Sequence, residues 1–468
     1  RMFMKILTVP ALACAVTLGF GLACAQTITP SRVGPVSQYG QLLTGKNSSG
    51  KGQIYGSCEG VKDGKEVQVR GMSLYWSLMP QAVEYWNAEG VSSMVKDMKI
   101  QIVRAAMATG NEDWSNGYKG YGSDPNTQKN LMNAVVQAAI ENDIYVIIDW
   151  HSHNAHEQTE SSKQFFAEMA QKWGQYDNVI FEVYNEPQQI DWSLIKNYAN
   201  QVVAEIRKYS DNLVLVGTPS WDQKTNVAIG SEVTGENVAY TMHFYANSHC
   251  WEGTYGWGDG TTDACEGTNA LKAMNAGLSV FVSEWGTADL NGDGDPDTGR
   301  NTSWQNYLNQ HKLSWANWSA SHISEGTAAF SGSSNKNSLQ YTTSGNLVKG
   351  YLATNPESYT KCSDGSQGGD NGGSQGGDNG GNNGGNQGGQ QAVFNLDVSS
   401  LNVSFGNKVL NIAGVGSATV ELFDMKGNKL LMVDGVAGSL SLASFPAGVY
   451  MAKVTSGSAS KMQKINLK

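Results

Sequence analysis

Two glutamates carry the chemistry this chain suggests: Glu186 in V-I-F-E-V-Y-N-E-P, ending at Pro187, and Glu284 in S-V-F-V-S-E-W-G, ending at Gly286. Each closes a nearly unbroken apolar run, the pattern of a strand covered on both faces in a parallel sheet. Charge is costly there unless it has a task. Carboxylates at the carboxyl ends of parallel strands are where barrel enzymes keep their chemistry, and a facing pair suffices to hydrolyse a glycosidic bond. In a retaining reaction one carboxyl gives its proton to the leaving oxygen and the other attacks the anomeric carbon, the two standing about 5 to 5.5 Å apart.

Comparable runs recur at 67–73, 100–107, 145–151, 179–187, 213–221, 238–246, 279–286 and 313–321. Segments of helical period, such as 127–142 and 192–209, lie between most of them. Eight repeats of strand and helix close most simply into an α/β fold of the (β/α)8 TIM barrel type, with a doubly wound sheet as the alternative. The carboxyl ends of these runs collect Arg104, His151, Asn185, Glu186, His243, Tyr245, Glu284 and Trp318. Arg104 supplies a cation for Glu284 and Tyr245 an O–H for the same group. Asn185, short and neutral, suits a sugar 2-hydroxyl, and Trp318 a flat apolar floor beneath the ring.

The motifs R-G-M-S near 70, V-R-A-A-M, V-I-I-D-W-H, N-E-P, H-F-Y, S-E-W-G and W-A-N-W-S, in this order, resemble glycoside hydrolase family 5, in particular its bacterial endo-β-1,4-glucanases. The resemblance covers roughly residues 33 to 355. It implies a retaining (β/α)8 hydrolase of β-glucans without a cofactor or metal, with Glu186 as acid/base and Glu284 as nucleophile. It also implies that Arg104, His151, Asn185, His243, Tyr245 and Trp318 surround the bond that breaks, and that Trp76, Trp221 and Glu325 contact neighbouring sugars. A cis peptide after Trp318 is implied as well. The sequence departs from many relatives at S-L-Y-W, which runs from Ser73 to Trp76 without a His-containing insertion, at Ala108, where relatives often have Tyr, and at Ile323, where they often have Lys. Tyr75 stands where one substrate contact is missing. The segment 247–266 is longer than in simpler relatives and is placed to wall one end of a cleft. Mannanase, xyloglucanase and mixed-linkage glucanase activities share the same fold and acids.

At 468 residues the chain exceeds one average domain, and its net charge of −10 with 16% charged residues offers no basic surface for phosphates, which excludes nucleic acid as a partner. A neutral polysaccharide fits better. Residues 1–25 carry Lys5, an apolar run from Ile6 to Cys24, and Ala23-Cys24-Ala25 of small-x-small form, the pattern of a signal peptide with Gln26 as the mature start. A lipidated Cys24 is the competing reading, against which Gly21 stands where a branched apolar residue is wanted. No later run reaches about 18 apolar residues, so no transmembrane segment is expected. Export to an oxidising compartment would pair Cys58, Cys250, Cys265 and Cys362, with three connectivities open. Cys250 with Cys265 staples the intervening loop, and Cys58 with Cys362 ties the ends of the first domain.

The catalytic domain is expected over 26–362. Residues 363–391 contain only Ser, Asp, Gly, Gln and Asn, a flexible linker, and 392–468 show short alternating runs between turn pairs, a small all-β sandwich. This last segment lacks an aromatic stripe for sugars. Its F-D-M-K-G-N-K, S-F-P-A-G-V-Y-M-A-K-V and K-M-Q-K-I-N-L-K resemble the sorting or secretion domains of Bacteroidetes-like and Fibrobacter-like bacteria, which implies a secreted or cell-surface bacterial protein and a secretion or surface partner. His151, His153 and His156 read as solvated loop histidines and not a metal set. N-G-D-G-D-P-D-T-G at 291–299 has calcium-like spacing without the closing Glu of an EF-hand and reads as a surface loop. No Gly-rich nucleotide loop follows a strand. The rival of another class, a glucan-binding protein without turnover, is opposed by intact Glu186, Glu284 and Arg104.

Overall fold

A computed structural model describes residues 28–110, 118–256, 262–362 and the strands between 402 and 467. The segments expected to be a signal peptide, 1–25, and a linker, 363–391, lie outside the described residues. The chain divides into two compact units, Arg1–Asp370 and Asn371–Lys468.

In the first unit eight parallel strands close into a barrel: β1 Arg70–Leu74, β2 Ile102–Ala108, β3 Tyr145–His151, β4 Val179–Glu182, β5 Val214–Val216, β6 Val238–Tyr245, β7 Val280–Gly286 and β8 Trp315–Ala320. This is the (β/α)8 architecture, and all eight strand positions agree with the apolar runs. The runs at 179–187 and 213–221 are longer than their strands. Pro187 has no N–H for the ladder, and Gly217 lies so close to Tyr184 and Pro187 that a Cβ there would stand 2.4 Å from the Tyr184 carbonyl oxygen. The chain therefore leaves the sheet early, and Asn185, Glu186 and Trp221 sit on loops beyond β4 and β5.

Alternation along the strands sorts the core into two layers. Val103, Ala105 and Met107 of β2, with Val146, Ile148 and Trp150 of β3, pack outward against helices such as α1 Pro125–Glu141 and α2 Thr159–Trp173. Ile102, Tyr145, Ile147, Ile180, Leu215 and Phe281 point inward and form an apolar floor, joined by Val36, Leu42 and Ile54 from the N-terminal segment. That segment includes an antiparallel hairpin, Leu42–Lys46 with Gly52–Gly56. Cys58 and Cys362, with Cα atoms 5.9 Å apart, are joined in a disulfide that ties the start of the unit to its end. Above the apolar floor the inward residues turn polar, and there the carboxylates gather.

The second unit has two antiparallel sheets, one of Asn402–Gly406, Val409–Ala413 and Ser439–Ser441, the other of Lys429–Val436, Ala418–Phe423, Gly448–Ser456 and Ala459–Leu467. Residues 418–423 alternate buried and half-buried. Leu410 and Ile412 of one sheet share a core with Val420, Leu422, Ala452 and Val454 of the other, the arrangement of a sandwich. No helix among the described residues is long and apolar enough to cross a membrane.

Candidate active site

The polar layer is centred on Arg104. Its side chain is fully buried and donates from Nε to Glu182 Oε2 at 2.7 Å, from Nη1 to Glu284 Oε2 at 2.8 Å and from Nη2 to Asn185 Oδ1 at 2.5 Å. Asp149 Oδ2 lies 2.9 Å from Nη2. Register explains the convergence: Asp149 pairs with Glu182 across β3 and β4, and Glu284 pairs with His243 across β7 and β6.

Glu284 reaches this layer through a β-bulge. The ladder slips between Phe281 and Glu284 on the β6 side and between Val282 and Trp285 on the β8 side. Ser283 and Glu284 consequently both reach the polar layer, while Trp285 returns to the outer core. Ser283 Oγ donates to Glu182 Oε1 at 2.6 Å. Glu284 Oε1 accepts from the Tyr245 hydroxyl at 2.9 Å. Burial and the neighbouring Glu284 charge hold the Tyr245 phenol well above its ordinary range, so it remains a donor.

Glu186 stands opposite, its side chain 14% exposed, with Oε1 2.9 Å from His243 Nδ1 and Oε2 3.1 Å from His153 Nε2. Burial pushes its carboxyl up, but the hydrogen bonds and charges of the two imidazoles outweigh this and leave it below the ordinary carboxylate range. For His243 burial acts downward, yet Asp222, Glu182, Glu186 and Glu284 raise it well above the ordinary histidine value. One oxygen of Glu186, one of Glu284 and a ring nitrogen of His243 all lie within 4.8 Å of one another.

The aromatic residues surround this pair. Trp318, which precedes a cis peptide bond to Ser319, stacks on His151 with centroids 5.4 Å apart and planes 5° apart. His151 is bound through Nδ1 to Asp149 at 2.7 Å and is driven by burial and by Arg104 to about 3, which keeps the ring neutral. Trp76 meets His151 edge-on at 5.1 Å. Trp221, 37% exposed, lines a cavity of about 750 Å³ together with Glu186, His243, Tyr245 and Ser248. His249, Cys250 and Asp263 of the long insert line the same cavity, where the Cys250–Cys265 disulfide and a 2.9 Å bond from Lys224 Nζ to Asp263 hold that wall. Glu325 accepts from Tyr75, whose ring lies 4.8 Å from Trp318, at 2.6 Å.

Two readings from sequence need correction. Acids are not confined to the ends of the apolar runs: Asp149 lies within β3, and Glu182, the last residue of β4, lies within the run 179–187, both fully buried. The three histidines are not free loop side chains: His151 is buried at the end of β3, His153, its side chain 39% exposed, is bonded to Glu186, and His156 Nδ1 lies 2.8 Å from the Tyr184 hydroxyl. Asn185 Oδ1 already accepts from Arg104, which leaves Nδ2 and one further lone pair of Oδ1 for a sugar hydroxyl. Asp149, Glu182, Asp222, His153 and Ser283 were missed, although Asp149 and Glu182 carry a signal, an acid in phase with the inward residues of an otherwise apolar run. In the 291–299 loop no three acidic side chains converge, and Asp297 instead caps the helix Thr298–Gln310 by accepting from the Arg300 N–H.

Comparison with known proteins agrees with this geometry. The family model of cellulase, glycosyl hydrolase family 5, matches residues 61–324. Endoglucanase Z of Dickeya dadantii is 36% identical over 348 residues, covering 74% of this chain and 72% of that protein. An endoglucanase of Clostridium saccharobutylicum is 36% identical over 318 residues, covering 64% of each. Among solved structures, one from Cytophaga hutchinsonii is 35% identical with a TM-score of 0.59, covering 68% of this chain and 96% of that one. The catalytic domain of Thermobifida fusca endoglucanase Cel5A in complex with cellotetraose is 27% identical with a TM-score of 0.57, covering 69% of this chain and all of that one. With its barrel, its clustered carboxylates and this likeness over most of the first unit, the chain is a glycoside hydrolase and belongs to glycosyl hydrolase family 5, the cellulase family.

Proposed function

We propose that the enzyme is a secreted, endo-acting β-1,4-glucanase that retains anomeric configuration, with Glu284 as nucleophile and Glu186 as acid/base. The approach of Glu186 and Glu284 oxygens to within 4.8 Å carries this reading, because it suits the about 5 to 5.5 Å spacing of retaining enzymes and leaves no room for the water that inverting ones hold between carboxyls about 6.5 to 9.5 Å apart. Glu284 attacks the anomeric carbon from a position set by Arg104 and Tyr245. As the bond to the leaving oxygen breaks, Glu186 gives that oxygen a proton. In the empty site this proton resides on the Glu186–His243 pair. A bound chain that covers the exposed edge of Glu186 adds to the burial that favours its neutral form, and the proton then crosses from His243 Nδ1 to Oε1. Water next enters, gives a proton to Glu186 and releases the sugar from Glu284.

The chain-cleaving mode is supported by Trp76, Trp221 and Trp318, platforms suited to successive glucose units. Viscosity of carboxymethylcellulose should fall much faster than reducing ends appear, with weaker action on glucomannan and barley glucan tested in parallel. Steady release of cellobiose with little loss of viscosity would mean an exo-acting enzyme, and preference for glucomannan a mannanase.

The C-terminal sandwich is proposed to serve export or surface display. A chain of residues 26–362 should keep full activity on soluble glucan while its native host fails to deliver it normally. Loss of soluble-substrate activity with the fold intact, or tight cellulose binding by residues 392–468 alone, would replace this role with substrate binding.

A further inference from the structure

The loop after β5 contains Ser220, Trp221 and Asp222, three consecutive residues at φ 59°, 54° and 61°. That left-handed region disfavours every residue with a side chain. The turn is fastened at each step: the Ser220 and Trp221 N–H groups donate to the carbonyls of Gln188 and Pro187 at 3.0 and 2.8 Å, and Asp222 N–H to Thr218 at 3.1 Å. Thr218 N–H in turn donates to Asp222 Oδ1. The loop is thus latched to the segment that carries Glu186. Exposure changes sharply along it, for Trp221 is 37% exposed and the next residue, Asp222, is fully buried.

Asp222 Oδ2 has no hydrogen-bond partner, yet it lies 3.3 Å from His243 Nε2. The hydrogen bonds around that ring assign its protons. Ser283 has one hydroxyl proton and gives it to Glu182, so its oxygen accepts from His243 Nε2–H, 2.8 Å away. Nε2 therefore stays protonated, and the proton that can move lies between Nδ1 and Glu186 Oε1. It belongs to the pair and not to either residue. Asp222 lies on the far side of the ring, where Glu182 is at 3.8 Å; burial, Glu186 and Glu182 push its carboxyl well above the ordinary value and the His243 cation pulls it down, so Asp222 bears its negative charge while the His243 ring is protonated. Glu186 and Glu284 face the ring from the cleft, and His153 and Arg104 contribute positive charge behind those carboxylates.

We propose that Asp222 is a positioning residue for the acid/base pair: from beneath His243 it keeps one proton bound between His243 and Glu186, and so sets the alkaline limit of activity. The proposal rests on the acid/base reading of Glu186. Loss of a negative charge lowers the proton affinity of the pair. In Asp222→Asn the alkaline limb of the kcat/KM profile should therefore move to lower pH by about 1 to 3 units, with KM unchanged in the acidic range. Hydrolysis of a 2,4-dinitrophenyl β-cellobioside, whose leaving group needs no proton, should keep its rate at alkaline pH while that of unactivated cellotetraose falls about tenfold for each unit above the shifted limb.

Asp222→Ser provides a second variant of neutral charge, and NMR titration of the His243 ring in either one reads the same shift without turnover. An unmoved limb and unmoved His243 titration, with kcat lowered evenly across pH, would reduce Asp222 to a structural role and overturn the proposal. Glu186→Gln separates the two readings: it should spare the dinitrophenyl substrate in the glycosylation step and lose the unactivated one. Equal loss on both would overturn the acid/base assignment itself.

Discussion

Glu284→Gln should fold as the wild type does and lose on the order of 10⁴-fold or more in kcat, the scale seen when a member of a covalent catalytic set is removed. The side chain keeps its volume at a site only 3% exposed, and Asp149 and Glu182 continue to balance Arg104, so the melting temperature should move little. The chemistry has no substitute. An amide is a poor nucleophile at an anomeric carbon, and one of its two ends must place N–H against either Arg104 or the Tyr245 hydroxyl, where the wild type presents an acceptor. In the unaltered enzyme a 2-fluoro-cellobioside with a good leaving group should form a stable ester with Glu284, found by peptide mass analysis, and NMR of early product should show the β-anomer. A label on another residue, or the α-anomer, would remove the nucleophile assignment.

The barrel was legible because parallel strands buried on both faces leave apolar runs, and eight such runs separated by helical segments admit few closed arrangements. The aim of individual side chains was not. Counting by twos from inward-facing Phe281 keeps Ser283 inward and sends Glu284 out toward the helices, and only the bulge returns it to Arg104. A bulge has no mark in S-V-F-V-S-E-W-G, so Glu284 was identified by its place at the strand end and by resemblance.

Asp149 and Glu182 were in phase with the inward positions, but an acid inside an apolar run becomes meaningful only when a buried cation is known to meet it. Asp222 was hidden more deeply. Its burial depends on a left-handed turn of Ser, Trp and Asp, none of them a residue that announces positive φ, and that turn is held by carbonyls from a different loop. His153 illustrates the same limit, since its bond to Glu186 joins segments 33 residues apart.

Arg104→Met should be the most destabilising single change in the polar layer. Arg104 is fully buried and meets Asp149, Glu182 and Glu284 within 2.9 Å, so removing it leaves buried carboxylates without their cation, a change that costs about 3 to 5 kcal/mol. For a domain of this size the melting temperature should drop by roughly 4 to 7 °C. The loss has a defined pH dependence. For Glu182 burial acts upward, but Arg104 and His243 outweigh it and depress the carboxyl from 4.5 to about 2, so its stabilisation is present above the unfolded value and is lost as pH falls toward about 2. Without Arg104 burial dominates at Glu182, as it already does at Asp149, which lies well above its ordinary value. Folded carboxyls that titrate above their unfolded values make a protein more stable as pH falls through their range. The gap between variant and wild type should accordingly be widest near neutral pH and narrow below pH 4.5, measured by thermal melts at both. Activity should fall with it, because Glu284 loses the donor to Oε2 and retains only Tyr245. A loss of stability below about 1 kcal/mol, or a gap independent of pH, would mean that the carboxylates find other partners and that Arg104 is not what holds the layer together.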